Sequence, residues 1–180
     1  AHVDDSLVVA AYQAAFEWIV IRPSDFNLIA TGAMGQVSSH CLGLALGRPD
    51  RRVIGFDGDG SLLMNLGSLV TITQQAPKNL TLIIFDNGIY EITGGQPTPA
   101  IDDDGSRVDY PGLARAAGFQ QVHAFEDLAD WQAAARDLID ADGPTFIHLS
   151  ISPVPGAIGP RSPSKAPPRA HTFAKTFRAD

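Results

Sequence analysis

The sequence predicts an α/β domain, a doubly wound and mainly parallel sheet with helices on both faces. Apolar runs of strand length alternate along it with segments of helical period, the pattern left by strands joined through crossover helices. The run at 52–56 sets apolar side chains around Gly55, which suits a strand buried on both faces, and LTLIIF at 80–85 is the clearest strand in the chain. At 180 residues, 44% hydrophobic and 18% charged, the chain is long enough and apolar enough for one domain with a real core.

Taken in order, residues 7–11 read as a first strand and 13–20 as a short helix. Residues 28–30 are short and extended, and 37–46 read as a helix leading to the strand at 52–56. Over 62–75, Leu62, Leu66, Leu69 and Thr73 form a helical stripe with Leu63 and Val70 beside it, and Pro77 enforces the stop. After the strand at 80–85, TGGQPTPAIDDDGSRVDYPG at 93–112 has no periodicity and reads as a long loop, a kind that in compact domains is often functional. A helix at 111–117 stopped by Gly118, a brief strand at 122–124, a helix at 127–140 and a last strand at 145–151 complete a domain assigned to residues 1–151. Residues 152–180 form a proline-rich basic tail. Phe173 and Phe177, four apart, suit a short terminal helix docking on this chain or on a partner. There is no internal repeat.

Composition excludes several classes. A net charge of −7 argues against nucleic acid or an anionic membrane as main partner. No apolar run approaches the roughly 18 residues of a membrane span. No secretory signal is read at the N-terminus, which opens on Ala1. Cys41 alone makes no internal disulfide, thiolate zinc site or iron–sulfur cluster; within SSHCLGLALG it reads as a packed, inert thiol, and the compartment expected is cytoplasmic.

The chemistry concentrates in VIGFDGDGSLLMNLGSL at 53–69, where a strand passes through Gly58-Asp59-Gly60-Ser61 into a helix. The plainest reading is a turn, with glycines for a sharp bend and Ser61 capping a helix that opens at Leu62. A dinucleotide fingerprint fails because its third glycine would be Leu63, and no Walker lysine follows. A calcium loop from Asp57 fails at Leu62 and Ser68. The segment FDGDGSLL also resembles the first motif of haloacid-dehalogenase-like phosphatases, with Asp57 as nucleophile and Asp59 as acid, but their other three motifs are missing. The remaining reading joins GDGS to the second segment, FDNGIYEITGGQPT. If the two strands are parallel neighbours, Asp59 and Asn87, 28 positions apart, end on the same sheet edge. A carboxylate, an amide oxygen and a main-chain carbonyl are ligands for Mg²⁺, which keeps its other sites for phosphate oxygens and water. The rival for the second segment is a type I′ hairpin at Asn87-Gly88, and the paired motif outweighs it.

A GDG followed by a strand-terminal Asp-Asn-x-x-Tyr resembles the diphosphate-binding (PP) domain of thiamine-diphosphate enzymes over roughly residues 7–151. Within that superfamily the two segments are most similar to sulfopyruvate decarboxylase β subunits, with phosphonopyruvate decarboxylases as near relatives and other lyases such as acetolactate-synthase-like enzymes as alternatives. The resemblance implies the thiamine-diphosphate-binding fold, thiamine diphosphate and Mg²⁺ as cofactors, and decarboxylation of a small 2-oxoacid. It implies that Asp59, Asn87 and the Ile89 carbonyl hold the metal. It also implies that Gly58, Gly60, Ser61 and Tyr90 lie at the cofactor, that Met34 bends it, and that Gly32 offers a carbonyl to its amino group. One departure is AAYQAAFEW, where relatives carry a glycine and hydroxyl residues, so Tyr12, Gln13 and Ala14 are not expected to meet the diphosphate in the usual way; a milder one is Asp86, where Asn is common.

The same family takes its activating glutamate from a pyrimidine-binding domain. Glu17, Glu91 and Glu126, the glutamates here, lie in no such motif, so the expectation is half an active site, completed by a separate α-type subunit in a hetero-oligomer. Thr93, Gln96 and Thr98 are the candidate contacts for a sulfonate or phosphonate tail. His40, His123 and His148 read as structural, and His171 reaches the site only if the tail docks. A cofactor-binding subunit without catalytic function is the non-enzyme alternative.

Overall fold

A computed structural model describes residues 5–30, 34–101, 106–154 and 166–178. Its framework is a six-stranded, all-parallel sheet made of β1 (Leu7–Ala10), β2 (Asn27–Ile29), β3 (Val53–Gly58), β4 (Leu80–Asp86), β7 (Gln121–Phe125) and β8 (Thr145–Ser150), in the order β2-β1-β3-β4-β8-β7. A separate two-residue antiparallel pair joins β5 (Ile89–Tyr90) to β6 (Gln96–Pro97). Parallel neighbours need crossovers, and the helices supply them: α1 (Tyr12–Ile21), α2 (Val37–Gly47), α3 (Asp59–Leu63), α4 (Gly67–Gln75), α5 (Tyr110–Ala116) and α6 (Leu128–Asp140), with α7 (Ala166–Arg178) at the end.

Strand side chains alternate between two cores. Val53, Leu80, Leu82, Ile84 and Phe146 point to one face, where Val37, Cys41 and Ala45 of α2, Leu69 and Ile72 of α4 and Ala114 of α5 cover them. Val8, Ile54, Ile83 and Ile147 point to the other, under Trp18 of α1 and Trp131 and Leu138 of α6. The sheet is therefore buried on both sides, as the unbroken apolar runs predict. Gly55 is needed where α2 crosses β3: a Cβ there would lie 2.7 Å from Cys41 Sγ and 2.8 Å from Leu82 Cδ2. Burial pushes the Cys41 thiol well up, so the inert reading of that cysteine agrees with its surroundings.

Two expectations change, the helix over 62–75 and the loop at 93–112, and two open readings are decided, the rival hairpin and the docking of the terminal helix. The helix read over 62–75 is two helices, α3 starting three residues early at Asp59 and α4 starting at Gly67. The break is made by Asn65, whose side-chain amide donates to the Gly35 carbonyl at 2.9 Å and whose own carbonyl accepts from Ser68 Oγ at 2.7 Å. No hairpin forms at Asn87-Gly88, because β4 is already paired with β3 and β8 on its two edges. The loop at 93–112 is not wholly irregular: it contains β6, an isolated bridge from Ile101 to Arg107 and the start of α5, with Asp102 to Asp104 outside the described residues. The C-terminal helix packs on this chain, with Phe173 only 6% exposed in the core and the Phe177 carbonyl accepting from Arg48 Nη1 at 2.8 Å. No helix among the described residues is long and apolar enough to cross a membrane.

Gly55→Ala is expected to lower unfolding stability by about 1–3 kcal/mol through overpacking. The double variant Gly55→Ala/Cys41→Ala should recover part of that loss, read by urea denaturation.

Candidate functional site

A cavity of about 460 Å³ opens at the carboxyl edge of the sheet. It sits where the strand order reverses between β1 and β3, the crevice in which open parallel sheets take ligands. Ala11, Tyr12, Gln13 and Ala14 line it after β1, residues 57–61 at the end of β3 and the start of α3, Asn87 after β4, and Ile151 and Ser152 after β8. The short β5 and the turn of 3₁₀ helix at Glu91–Thr93 close one side with Ile89, Tyr90, Glu91 and Thr93.

Asp57 and Asp59 are 1% and 2% exposed. Asp57 Oδ1 accepts from the Gly58 N–H at 3.0 Å, and its Oδ2 is buried without a hydrogen-bond partner. Gly58 is the N-cap of α3 and its missing Cβ would point into open space, whereas a Cβ on Gly60 would collide with the Tyr90 ring at 2.4 Å. The two glycines thus do different work: one leaves the backbone bare to the cavity, the other lets an aromatic ring lie on the motif. Ser61 is inside α3 rather than its cap. Its Oγ accepts from the Gly35 N–H at 2.8 Å, which ties the turn carrying Met34 to the motif. Gly35 takes φ +76° there, so Met34, half-buried, reaches the cavity wall. Neither α1 nor α3, the helices opening at the cavity, carries a side-chain cap, so their first N–H groups suit an anion.

At the end of β4, Asp86 is 4% exposed, with Oδ1 bound by Arg107 Nη1 at 3.2 Å and Oδ2 by His148 Nε2 at 3.0 Å. Asn87 Oδ1 accepts from the Ile89 N–H at 3.0 Å, and Gly88 takes φ +73° in the turn between them. Thr98 Oγ1 donates to Asp59 Oδ2 at 3.2 Å. Tyr110 stacks on His148 at 5.8 Å between ring centroids. Burial, and then the charges of Asp59 and Asp86, hold its phenol strongly protonated.

Of the residues predicted from sequence, Met34, Gly58, Asp59, Gly60, Ser61, Asn87, Ile89 and Tyr90 all line this cavity. Gly32 lies outside the described residues. The three expected substrate contacts separate. Thr93 lines the cavity, Gln96 is exposed and bonded to Thr93, and Thr98 is 1% exposed with its hydroxyl on Asp59 Oδ2, behind the residues that line the cavity. Tyr12, Gln13 and Ala14 do line the cavity despite their unusual types, and Tyr12 holds φ +48°, a left-handed conformation that favours glycine, the residue the resembling family has in this segment. His148 is structural in a specific way, as a partner of Asp86. Its pairing with Asp86 across 62 residues left no local signal, and neither did that of Thr98 with Asp59 across 39.

Burial pushes the Asp57 carboxyl up to about 6 against the pull of the Ser61 hydroxyl and the Gly58 N–H. Burial and then the Asp86 charge push Asp59 up to about 6 as well. Burial would raise Asp86 too, but the hydrogen bond and charge of His148, with Arg107, hold it below the ordinary range. A carboxyl raised from 3.8 to about 6 binds its proton more tightly in the folded chain, so it costs stability as pH rises through that window and the loss persists above it. Asp57→Asn is therefore expected to stabilise the ligand-free chain by about 1–3 kcal/mol at pH 7.5 and to give no gain at pH 4, measured by thermal melting at both pH values.

Comparison with known proteins agrees with this geometry. Residues 10–149 match the family described as "Thiamine pyrophosphate enzyme, C-terminal TPP binding domain". The chain is 43% identical over 162 residues to a phosphonopyruvate decarboxylase of Streptomyces hygroscopicus, covering 90% of this chain and 38% of that one. It is 42% identical over 133 residues to the sulfopyruvate decarboxylase subunit beta of Methanothermobacter thermautotrophicus, covering 74% of this chain and 66% of that subunit. The fold is shared with a 2-oxoglutarate:ferredoxin oxidoreductase structure from Magnetococcus marinus at a TM-score of 0.68 and 14% identity, over 89% of this chain and 58% of that one. With a binding-domain match over residues 10–149, most of its length, the chain belongs to the thiamine pyrophosphate enzymes.

Proposed function

We propose that this chain is the diphosphate-binding half of a thiamine-diphosphate- and Mg²⁺-dependent 2-oxoacid decarboxylase. The substrate is 3-sulfopyruvate, released as sulfoacetaldehyde and CO₂, and a separate pyrimidine-binding subunit completes the enzyme. The observation that carries the reading is the convergence of Asp59 and Asn87, from the ends of adjacent parallel strands, on one cavity. The donor set fits the metal. A carboxylate, an amide oxygen and the Ile89 carbonyl are hard oxygen ligands suited to Mg²⁺ with phosphate oxygens completing its shell. Charge supports it too: Asp86 has Arg107 and His148, while Asp57 and Asp59 have no ion-pair partner among the described residues.

In this reading the bare backbone at Gly58 and the uncapped N–H groups of Gly60 and Ser61 receive the diphosphate, and Met34 supports the bend of the cofactor. Bound thiamine diphosphate supplies the electron sink for loss of CO₂. Tyr90 lies over Gly60, and Thr93, which lines the cavity, is this chain's proposed contact with the substrate. Donors for the sulfonate and the glutamate that activates the aminopyrimidine come from the partner. The relative named as a subunit beta, matched at 42% identity, favours this two-chain arrangement. The phosphonopyruvate decarboxylases favour a second reading, in which the tail is a phosphonate and the missing half is part of the same polypeptide, since the chain spans only 38% of the Streptomyces hygroscopicus enzyme.

Supplied with Mg²⁺, thiamine diphosphate and 3-sulfopyruvate, the pure chain is expected to release no CO₂. Addition of the pyrimidine-binding subunit should restore turnover, and Asp59→Ala in that complex should lower it by at least about a hundredfold. Robust decarboxylation by the chain alone overturns the two-chain reading. A higher kcat/KM for phosphonopyruvate than for sulfopyruvate replaces the substrate.

A further inference from the structure

We propose that Thr98 is the positioning residue that ties the two halves of the metal motif together, so that Asp59 and the turn from Asn87 to Ile89 present their oxygens to one cation. The role presupposes that Asp59 and Asn87 hold Mg²⁺. Thr98 follows β6, 39 residues after Asp59 and eleven after Asn87, and is 1% exposed. Each of its groups is used. The main-chain N–H donates to the Gly88 carbonyl at 2.9 Å, inside the turn that separates Asn87 from Ile89. The hydroxyl donates to Asp59 Oδ2 at 3.2 Å. The methyl lies over Gly60, where a Cβ would come within 3.1 Å of it.

The β5–β6 pair sets this up. Ile89 opposite Pro97 and Tyr90 opposite Gln96 put Thr98 level with Gly88 in the next step of the same antiparallel register. One short ladder therefore hands a hydroxyl from the β4 side of the motif to the carboxylate on the β3 side. The other end of the turn is fixed independently, with the Asp86 carbonyl accepting from the Ile151 N–H at 2.9 Å and its carboxylate held by Arg107 and His148. With Oδ2 occupied by Thr98, the Asp59 carboxylate has one orientation, and hydrogen bonds behind a metal ligand of this kind are worth about 10–100-fold in metal affinity.

The test replaces the hydroxyl with a methyl of nearly the same shape. Thr98→Val, Thr98→Ser and the parent chain are titrated with Mn²⁺ as a paramagnetic stand-in for Mg²⁺ at saturating thiamine diphosphate, and free Mn²⁺ is read by electron paramagnetic resonance. Melting of each chain without ligands is recorded alongside, with Thr98→Ala as the second hydroxyl-free variant should Thr98→Val not fold. The expected result is about tenfold weaker Mn²⁺ binding for the hydroxyl-free variant, near-parental binding for Thr98→Ser, and melting temperatures for all within a few degrees. Parental affinity in Thr98→Val, or equal losses in Thr98→Val and Thr98→Ser, overturns the tie while leaving the metal site standing. Asp59→Ala separates the two levels: if it binds Mn²⁺ as the parent does, the metal reading fails and the role of Thr98 fails with it.

Discussion

Parallel pairing of β3 with β4 is the constraint on which the rest of the site depends. The register puts Gly58 opposite Phe85, so Asp59 leaves β3 beside the end of β4, where Asn87 follows Asp86 out of the sheet. Parallel strands cannot be joined by a tight turn, and the chain between them must cross one face as helix. That crossover is α3 and α4, and it begins at the motif itself. The same geometric necessity therefore creates the strand edge, the helix start and the cavity between them. Adding β1 on the far side of β3 introduces the reversal of strand order, which opens the crevice.

Three carboxylates brought to one buried edge are electrostatically expensive, and the fold treats them differently. Asp86 is neutralised from behind by Arg107 and His148, and Tyr110 packs its ring on that histidine. Asp57 and Asp59 have no such partner among the described residues, and burial first, then the charge of Asp59 on the one and of Asp86 on the other, lifts both toward neutrality in the ligand-free chain. Burying a carboxylate without an opposite charge beside it favours its protonated form. Backbone strain stands at the same edge, where Tyr12 holds φ +48° as the chain turns beside the cavity.

The cavity wall is assembled from segments far apart in sequence, and much of it is main chain. Glycines at 58 and 60 expose backbone on one side and accept the Tyr90 ring on the other. Ser61 holds the Met34 turn through Gly35, and Thr98 holds Asp59. Side chains predicted to touch ligand are thus partly engaged in holding one another. Among its lining residues Ile92 and Val154 are exposed apolar side chains.

The sequence by itself determined the sheet, its parallel sense and the pairing of the GDG with the distant asparagine. Those features are written in local chemistry: unbroken apolar runs mark strands buried on two faces, and glycine and asparagine mark backbone that must turn sharply beside a ligand. It also marked Cys41 as packing material, since a lone thiol in an apolar helix has no chemistry to share. The tertiary structure alone decided that Thr98 bonds Asp59, that Asp86 is clamped by Arg107 and His148, that Asn65 breaks a helix with an intact apolar stripe, and that the last helix returns to its own core. Each of these is a hydrogen bond or packing contact between segments separated by tens of residues, or depends on one. No periodicity or spacing encodes such contacts, because they exist only once the sheet has set the distance between their elements.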